Sequence, residues 1–200
     1  MSRDDVLALV RCERVVGIVR RDRAADAYND AKALLNAGLS IVEVSLTTPR
    51  AVDVIRKLAR DTPAVGAGTV LTVDEVDQVA DAGAGFVVAP ILDFEVVAAA
   101  RRRGLVTMPA AFTPTEMVSA VRAGADLVKV FPASAWSPGS IRDVLAALPR
   151  LPLLPTGGIG LADARDWINA GAVAVGMGSA LNGVSSDQVQ DLLDGLEAAS

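Results

Sequence analysis

The sequence contains no histidine. That excludes metal sites built on imidazole, and it excludes Ser–His and Cys–His nucleophile pairs. Proton transfer is left to carboxylates, lysine, tyrosine and water. Cysteine occurs once, at Cys12, so no disulfide can form within the chain. That residue is expected to be a small buried apolar side chain rather than a nucleophile. Aromatic residues make up only 4% of a chain that is 52% hydrophobic, so the core is built from Val, Leu, Ile and Ala. A basic excess is also missing: the formal net charge is −5 and the pI about 4.8. This speaks against a nucleic-acid partner held by a general positive field. The one basic run, Arg101 to Arg103, stands at the end of an expected helix before Gly104, where positive charge suits the helix dipole. No apolar run is long enough to span a membrane. The N-terminal MSRDDVLALVRCER carries acids and no cleavage site. The expectation is a soluble cytoplasmic protein with no membrane partner.

What the chain does have is alternation. Short apolar runs predict strands at 15–20, 41–46, 64–70, 86–90, 105–110, 127–133, 151–158 and 172–179. Ala- and Leu-rich segments with charged faces lie between them. Thr113, Pro114 and Glu116 read as N-cap, first helical residue and N3 partner, and Thr72 with Glu75 repeats that cap. Gly38, Gly83, Gly104, Gly124 and Gly171 each stand just before a strand, within three residues of its start, where helices end in a left-handed cap. The phrase Ala-Gly followed by a strand recurs in NAGLSIVEV, DAGAGFVVA, RAGADLVKV and NAGAVAVGM. Near-equal βα units in 200 residues predict a single-domain (β/α)8 barrel over 1–200, with an N-terminal helix near 3–13 covering one end. A doubly wound open sheet is the alternative. A helix is expected to begin near Leu161.

In such barrels chemistry gathers at the C-terminal ends of strands. One strand there, LVKVFPAS, holds Lys129 inside an apolar β-branched run. If Val128 and Val130 face the helices, then Leu127, Lys129 and Phe131 face the axis. By the same parity Glu43 turns inward when Val42 and Val44 face out, and Arg20 turns inward with Ile18. A buried ion pair between Lys129 and Glu43 is one reading, although such pairs stabilise weakly. The other is a nucleophilic amine whose pKa is lowered by desolvation and by Arg20, with Glu43 as proton shuttle. Thr156-Gly157-Gly158 and Gly176-Met177-Gly178-Ser179 end the seventh and eighth strands. Their backbone N–H groups suit a phosphate, helped by a short helix N-terminus.

These motifs resemble the 2-keto-3-deoxy-6-phosphogluconate (KDPG) aldolase family, which includes phosphogalactonate and 4-hydroxy-2-oxoglutarate aldolases. The resemblance runs in order through IVEVSLTTP, VGAGTVL, FVVAP, MPAAFTPTE, VKVFPAS, LPTGGI and VGMGSAL. It implies a class I, metal-independent aldolase that uses no cofactor and assembles as a homotrimer. The reaction is cleavage of a phosphorylated 2-keto-3-deoxy sugar acid to pyruvate and glyceraldehyde 3-phosphate. The resemblance makes Lys129 the Schiff-base lysine and Glu43 the general acid/base. It places Thr69 and Pro90 at the pyruvate end, Phe131 beside the lysine and Thr156 on the substrate. It assigns Gly157, Gly158, Gly178 and Ser179 to the phosphate. Two departures stand out. Thr47 replaces an Arg that binds the substrate carboxylate in some members, leaving Arg20 as carboxylate partner. Ala110 stands where Gly is common and is expected to add a methyl near the pocket. Alternatives are an aldolase for 4-hydroxy-2-oxoglutarate, a phosphate-binding isomerase or epimerase, and a non-catalytic trimeric homologue.

Overall fold

A computed structural model describes residues 1–62 and 64–199. Strands and helices alternate, and every strand pairing is parallel. The first half runs α1 (Arg3–Glu13), β1 (Val15–Val19), α2 (Ala24–Asn36), β2 (Ile41–Ser45), α3 (Ala51–Leu58), β3 (Ala64–Gly68), α4 (Val73–Asp81), β4 (Phe86–Val88) and α5 (Phe94–Arg102). The second runs β5 (Val106–Met108), β6 (Ala110–Ala111), α6 (Pro114–Ala123), β7 (Val128–Val130), α7 (Pro138–Ala147), β8 (Leu153–Pro155), α8 (Ala164–Asn169), β9 (Val175–Met177) and α9 (Ser186–Glu197).

The caps explain where helices start. Thr72 and Thr113 each accept a hydrogen bond from the N3 backbone, and Glu75 and Glu116 reach back to the N-cap backbone. Gly38, Gly83, Gly104, Gly124 and Gly171 all have positive φ, so each helix there ends where only glycine is unstrained. The helix expected near Leu161 begins later, at Ala164. Asp163 N donates to the Gly160 carbonyl, and this turn delays the first helical bond.

The sheet corrects the expectation of one closed eight-stranded ladder. The strands form a six-stranded sheet in the order β5-β4-β3-β2-β1-β9 and a three-stranded sheet in the order β6-β7-β8. The expected strand 105–110 is split at Pro109, which has no N–H to give to a ladder. Hydrogen bonds still cross that seam, from Leu127 N to the Thr107 carbonyl and from Lys129 N to the Pro109 carbonyl. At the other seam β8 and β9 are joined by a single bridge, Thr156 to Gly176. A Cβ on Gly176 would stand 2.4 Å from Thr156 Oγ1, so glycine is required for that approach.

Strand parity divides the core in two. Val42, Val44, Val128 and Val130 pack in one cluster with helix residues such as Ala31, Ile55 and Met117. Val16, Ile41, Phe86, Leu127 and Leu154 form a second cluster on the other face of the strands. Val6 and Val10 of α1 belong to this second cluster, so the N-terminal helix plugs it as expected. Burying each such Val or Leu contributes roughly 1.5–3 kcal/mol. Cys12 is exposed, contrary to expectation. Val6 and Val10 take the inner stripe of α1, and Cys12 falls outside it. Among Arg101 to Arg103, Arg101 donates to the Gly124 carbonyl at 2.7 Å and Arg103 pairs with Asp77 and Asp81.

The plug is clasped by Asp126, whose side chain is buried. It accepts from Thr107 N at 2.9 Å and Thr107 Oγ1 at 3.2 Å, and it pairs with Arg3 of α1. Asp126→Ala strands these donors and is expected to lower unfolding stability by about 2–3 kcal/mol. Urea denaturation checks this, and an unchanged midpoint would show that the clasp contributes nothing.

Candidate active site

The C-terminal ends of the strands surround a cavity of about 340 Å³. Lys129 reaches it from the middle of β7, where Val128 and Val130 face the helices and leave the lysine on the inner face. Lys129 is 7% exposed and Glu43, from β2, is 3% exposed. Glu43 fits because β3 presents Gly68 beside it. A Cβ there would lie 1.7 Å from Glu43 Oε1.

Burial pushes the Lys129 amine below its ordinary pKa. The Glu43 carboxylate pulls it back up, and Arg20 pushes it down. Burial pushes Glu43 above the usual carboxylate range, against the attraction of Lys129 and Arg20. Lys129 and Glu43 feel each other's charge, yet no nitrogen–oxygen approach within 4.0 Å joins them as a direct ion pair. The gap leaves space between an amine and a carboxylate, in a cavity whose wall includes Ile18, Phe131 and the glycine turns. The Phe131 ring stands under the amine, with Nζ 4.4 Å from its centroid. At that range the ring also favours the ammonium by a cation–π contact.

Of the residues singled out in the sequence, Lys129, Glu43, Arg20, Phe131, Thr156, Gly157, Gly158, Gly178 and Ser179 all line this one cavity. Gly157 and Gly158 have φ of 98° and 82°, which turns the backbone after β8. Ser179 opens a short 3-10 turn, Ser179–Leu181. Arg20 is exposed at the mouth.

Two residues are placed elsewhere. Thr69 does not line the cavity wall. Its hydroxyl lies 2.9 Å from Ser45 Oγ, which lies 2.9 Å from Thr47 Oγ1, so a chain of hydroxyls runs across the ends of β2 and β3. Thr69 has φ 61°, a strained value for a β-branched residue. Pro90 lines a neighbouring cavity of about 420 Å³ together with Ala110, Phe112 and Phe131. The Ala110 methyl therefore borders that second cavity, although Ala110 pairs with Lys129 in the ladder.

The sequence reading missed Arg21, Ile159 and Asn182, which also line the first cavity. Parity turns Arg21 away from the axis, but β1 ends at Val19 and alternation no longer governs the next residues. Asn182 sits in no motif. Among the described residues, no group of three His, Cys, Asp or Glu side chains is placed to hold a metal ion, and no helix is long and apolar enough to cross a membrane.

The chain is similar to known proteins. The family model of KDPG and KHG aldolases matches residues 6–194. A probable 2-dehydro-3-deoxy-6-phosphogalactonate aldolase of Rhizobium meliloti is 35% identical over 182 residues, covering 88% of this chain and 86% of that protein. A 2-dehydro-3-deoxy-phosphogluconate aldolase of Haemophilus influenzae is 34% identical over 167 residues, covering 82% of this chain and 78% of the relative. The native KDPGal structure superposes with a TM-score of 0.79 at 30% identity, over 92% of this chain and 93% of that one. The 2-keto-3-deoxy-6-phosphogluconate aldolase of Zymomonas mobilis, solved with 3-phosphoglycerate, gives a TM-score of 0.83 at 25% identity, over 100% and 98% of the two chains. With these neighbours the parallel α/β fold is barrel-like, and the chain belongs to the KDPG and KHG aldolase family.

Proposed function

We propose that this protein is a class I aldolase that cleaves a 2-keto-3-deoxy-6-phospho sugar acid to pyruvate and glyceraldehyde 3-phosphate. The observation that carries the reading is Lys129: a buried amine, held below its ordinary pKa by desolvation, facing Glu43 across a cavity. Relatives named as aldolases for the phosphogluconate and phosphogalactonate acids support the substrate class.

The free Lys129 amine attacks C2 of the substrate. Protonated by Glu43, the carbinolamine hydroxyl leaves as water and a cationic iminium remains, an electron sink next to C3. Glu43, through a water, takes the proton of the C4 hydroxyl. The C3–C4 electron pair moves into the iminium, giving an enamine and releasing the aldehyde. Glu43 then returns the proton to C3, and hydrolysis of the new iminium frees pyruvate and the amine. Phe131 shields the amine from bulk water. Arg20 takes the substrate carboxylate as a planar fork. Thr69 and Pro90 stand behind the pyruvate end rather than on the cavity wall, Thr69 through its hydroxyl chain and Pro90 beside Phe131. Thr156 contacts the substrate, and Gly157, Gly158, Gly178 and Ser179 receive the phosphate. Holding the groups in place and supplying the electron sink provide most of the acceleration.

The test is to incubate the protein with pyruvate and borohydride and to map the adduct by peptide mass. One reduced pyruvate on Lys129 is expected. An unmodified Lys129 would sink the reading, and would leave an isomerase or a non-catalytic homologue. Comparing kcat/KM on the two C4-epimeric phosphorylated acids and on 4-hydroxy-2-oxoglutarate then fixes the preferred substrate.

The two sheets act in this reading as one single-domain (β/α)8 barrel, cytoplasmic and homotrimeric. What supports the assembly is an apolar surface: Ile91, Phe94 and Phe112 are 52%, 60% and 46% exposed around one cavity. An exposed apolar group of this kind marks a contact surface. Sedimentation equilibrium is expected to give three times the 20.6 kDa chain mass. A monomer would remove the trimer from the reading.

A further inference from the structure

Among the described residues, Arg21 is the one cation on the cavity wall that the reaction above leaves without a task. It is half-buried, and three of its side-chain nitrogens are moored. Nε pairs with Asp30 of α2, Nη1 donates to the Arg20 carbonyl at 3.0 Å and Nη2 donates to Asn182 Oδ1 at 2.7 Å. Its own backbone N–H donates to Thr48 Oγ1 at 3.1 Å. A guanidinium carries five N–H groups, so these three side-chain contacts leave two for another acceptor.

The mooring decides which end of the cavity Arg21 serves. Asn182 directly follows the 3-10 turn Ser179–Leu181, and its N–H donates to the Ser179 carbonyl at 3.1 Å. Arg21 is therefore tied to the turn that follows β9, beside Gly178 and Ser179. Arg20 lies toward the reacting pair: both Lys129 and Glu43 feel its charge. A substrate of the proposed class carries an anion at each end, and the cavity presents one arginine toward each. Asp30, which pairs with Nε and does not line the cavity, fixes the plane of the guanidinium and leaves less side-chain freedom to lose when an anion binds.

We propose that Arg21 is the distal-anion residue of this aldolase: its moored guanidinium forks onto the phosphate while Asn182 holds the Gly178–Ser179 turn against the same group. This deepens the proposed function and rests on it for the identity of the substrate. The consequence is specificity. A dianionic phosphate gains more from the fork than a neutral hydroxymethyl end does.

The test uses the full chain and two variants. Arg21→Met removes the cation paired with Asp30, so the double variant Arg21→Met/Asp30→Asn accompanies it. For each, kcat/KM is measured on the phosphorylated acid and on the same acid without its phosphate. The ratio of the two is expected to fall about 10- to 100-fold, the worth of one charge-assisted hydrogen bond. Most of the loss is expected in KM. Arg21→Lys, which keeps the charge without the fork, should recover part of the ratio. An equal loss on both acids would overturn the proposal and mark Arg21 as structural. So would an unchanged ratio. Inorganic phosphate, titrated by calorimetry, separates this proposal from the aldol reading. The wild type is expected to bind it about 10-fold or more tightly than the double variant, whether or not either protein turns over a sugar acid. Equal binding by the two proteins, or none by the wild type, counts against Arg21.

Discussion

Lys129→Ala lowers kcat/KM for the phosphorylated acid by about 10⁴-fold or more, and abolishes borohydride trapping of pyruvate, while the protein stays folded. The loss is large because no other lysine can take over: Lys32 and Lys57 lie on α2 and α3, and Lys57 is committed to the Tyr28 ring at 3.6 Å. Folding survives because Leu127, Val128 and Val130 carry the packing of that strand. Lys129 itself is an ionisable group in an apolar setting, where removal of charge relieves desolvation. Circular dichroism and turnover together check the result, and turnover within tenfold of wild type would assign the chemistry to another residue.

The same site makes a pH prediction. The free amine is the nucleophile, and its pKa lies below the usual 10.5. Adduct formation with pyruvate therefore rises with pH and levels off below that value, in the window between the lowered and the ordinary pKa. Glu43 favours the ammonium, so in Glu43→Gln the rise moves to lower pH. A shift to higher pH in that variant would show that Glu43 does not act on the amine through its charge.

Gly68→Ala is expected to lower kcat by about 10²- to 10⁴-fold, the usual worth of a positioned general acid–base. Only a methyl is added, yet its carbon would stand 1.7 Å from Glu43 Oε1 and 2.4 Å from its Cδ. The carboxylate has to move, and Glu43 is enclosed by strands on both sides, paired with Ile18 in β1 and Gly66 in β3. The φ at Gly68 is not the obstacle, since it does not lie in the left-handed region. Overpacking of this sort costs about 1–3 kcal/mol of stability. A control is Gly195→Ala in α9, where an added Cβ meets nothing within 4 Å. It should leave activity alone and stabilise by about 0.5–1 kcal/mol through helix propensity. Pyruvate trapping on Lys129 separates the two roles at Gly68: an adduct that forms without turnover places the defect at Glu43. Full activity in Gly68→Ala would show that the carboxylate position does not matter to the reaction.

The residues themselves determined the α/β alternation, the caps and the inward face of the strands. Thr72–Glu75 and Thr113–Glu116 are local hydrogen-bonding patterns, so they survive in the fold as read. Parity is equally local: a period of two sends Lys129 to the face opposite Val128 and Val130 without reference to the rest of the chain. The glycine pairs, too, announced a turn beside the cavity. What local pattern does not carry is which elements meet. The break at Pro109 and the single Thr156–Gly176 bridge depend on how two strands approach, so a closed ladder was expected where two sheets are found. The room for Glu43 comes from Gly68, 25 residues away along the chain, through the pairing of β2 with β3. Cys12 looked like core because its residue type is usually buried, but α1 has one inner stripe and Val6 and Val10 occupy it. No motif in the sequence singled out Arg21. Only the fold brings Asp30 and Asn182 to either side of it, because α2 packs against β1 while the turn after β9 returns to the same strand end.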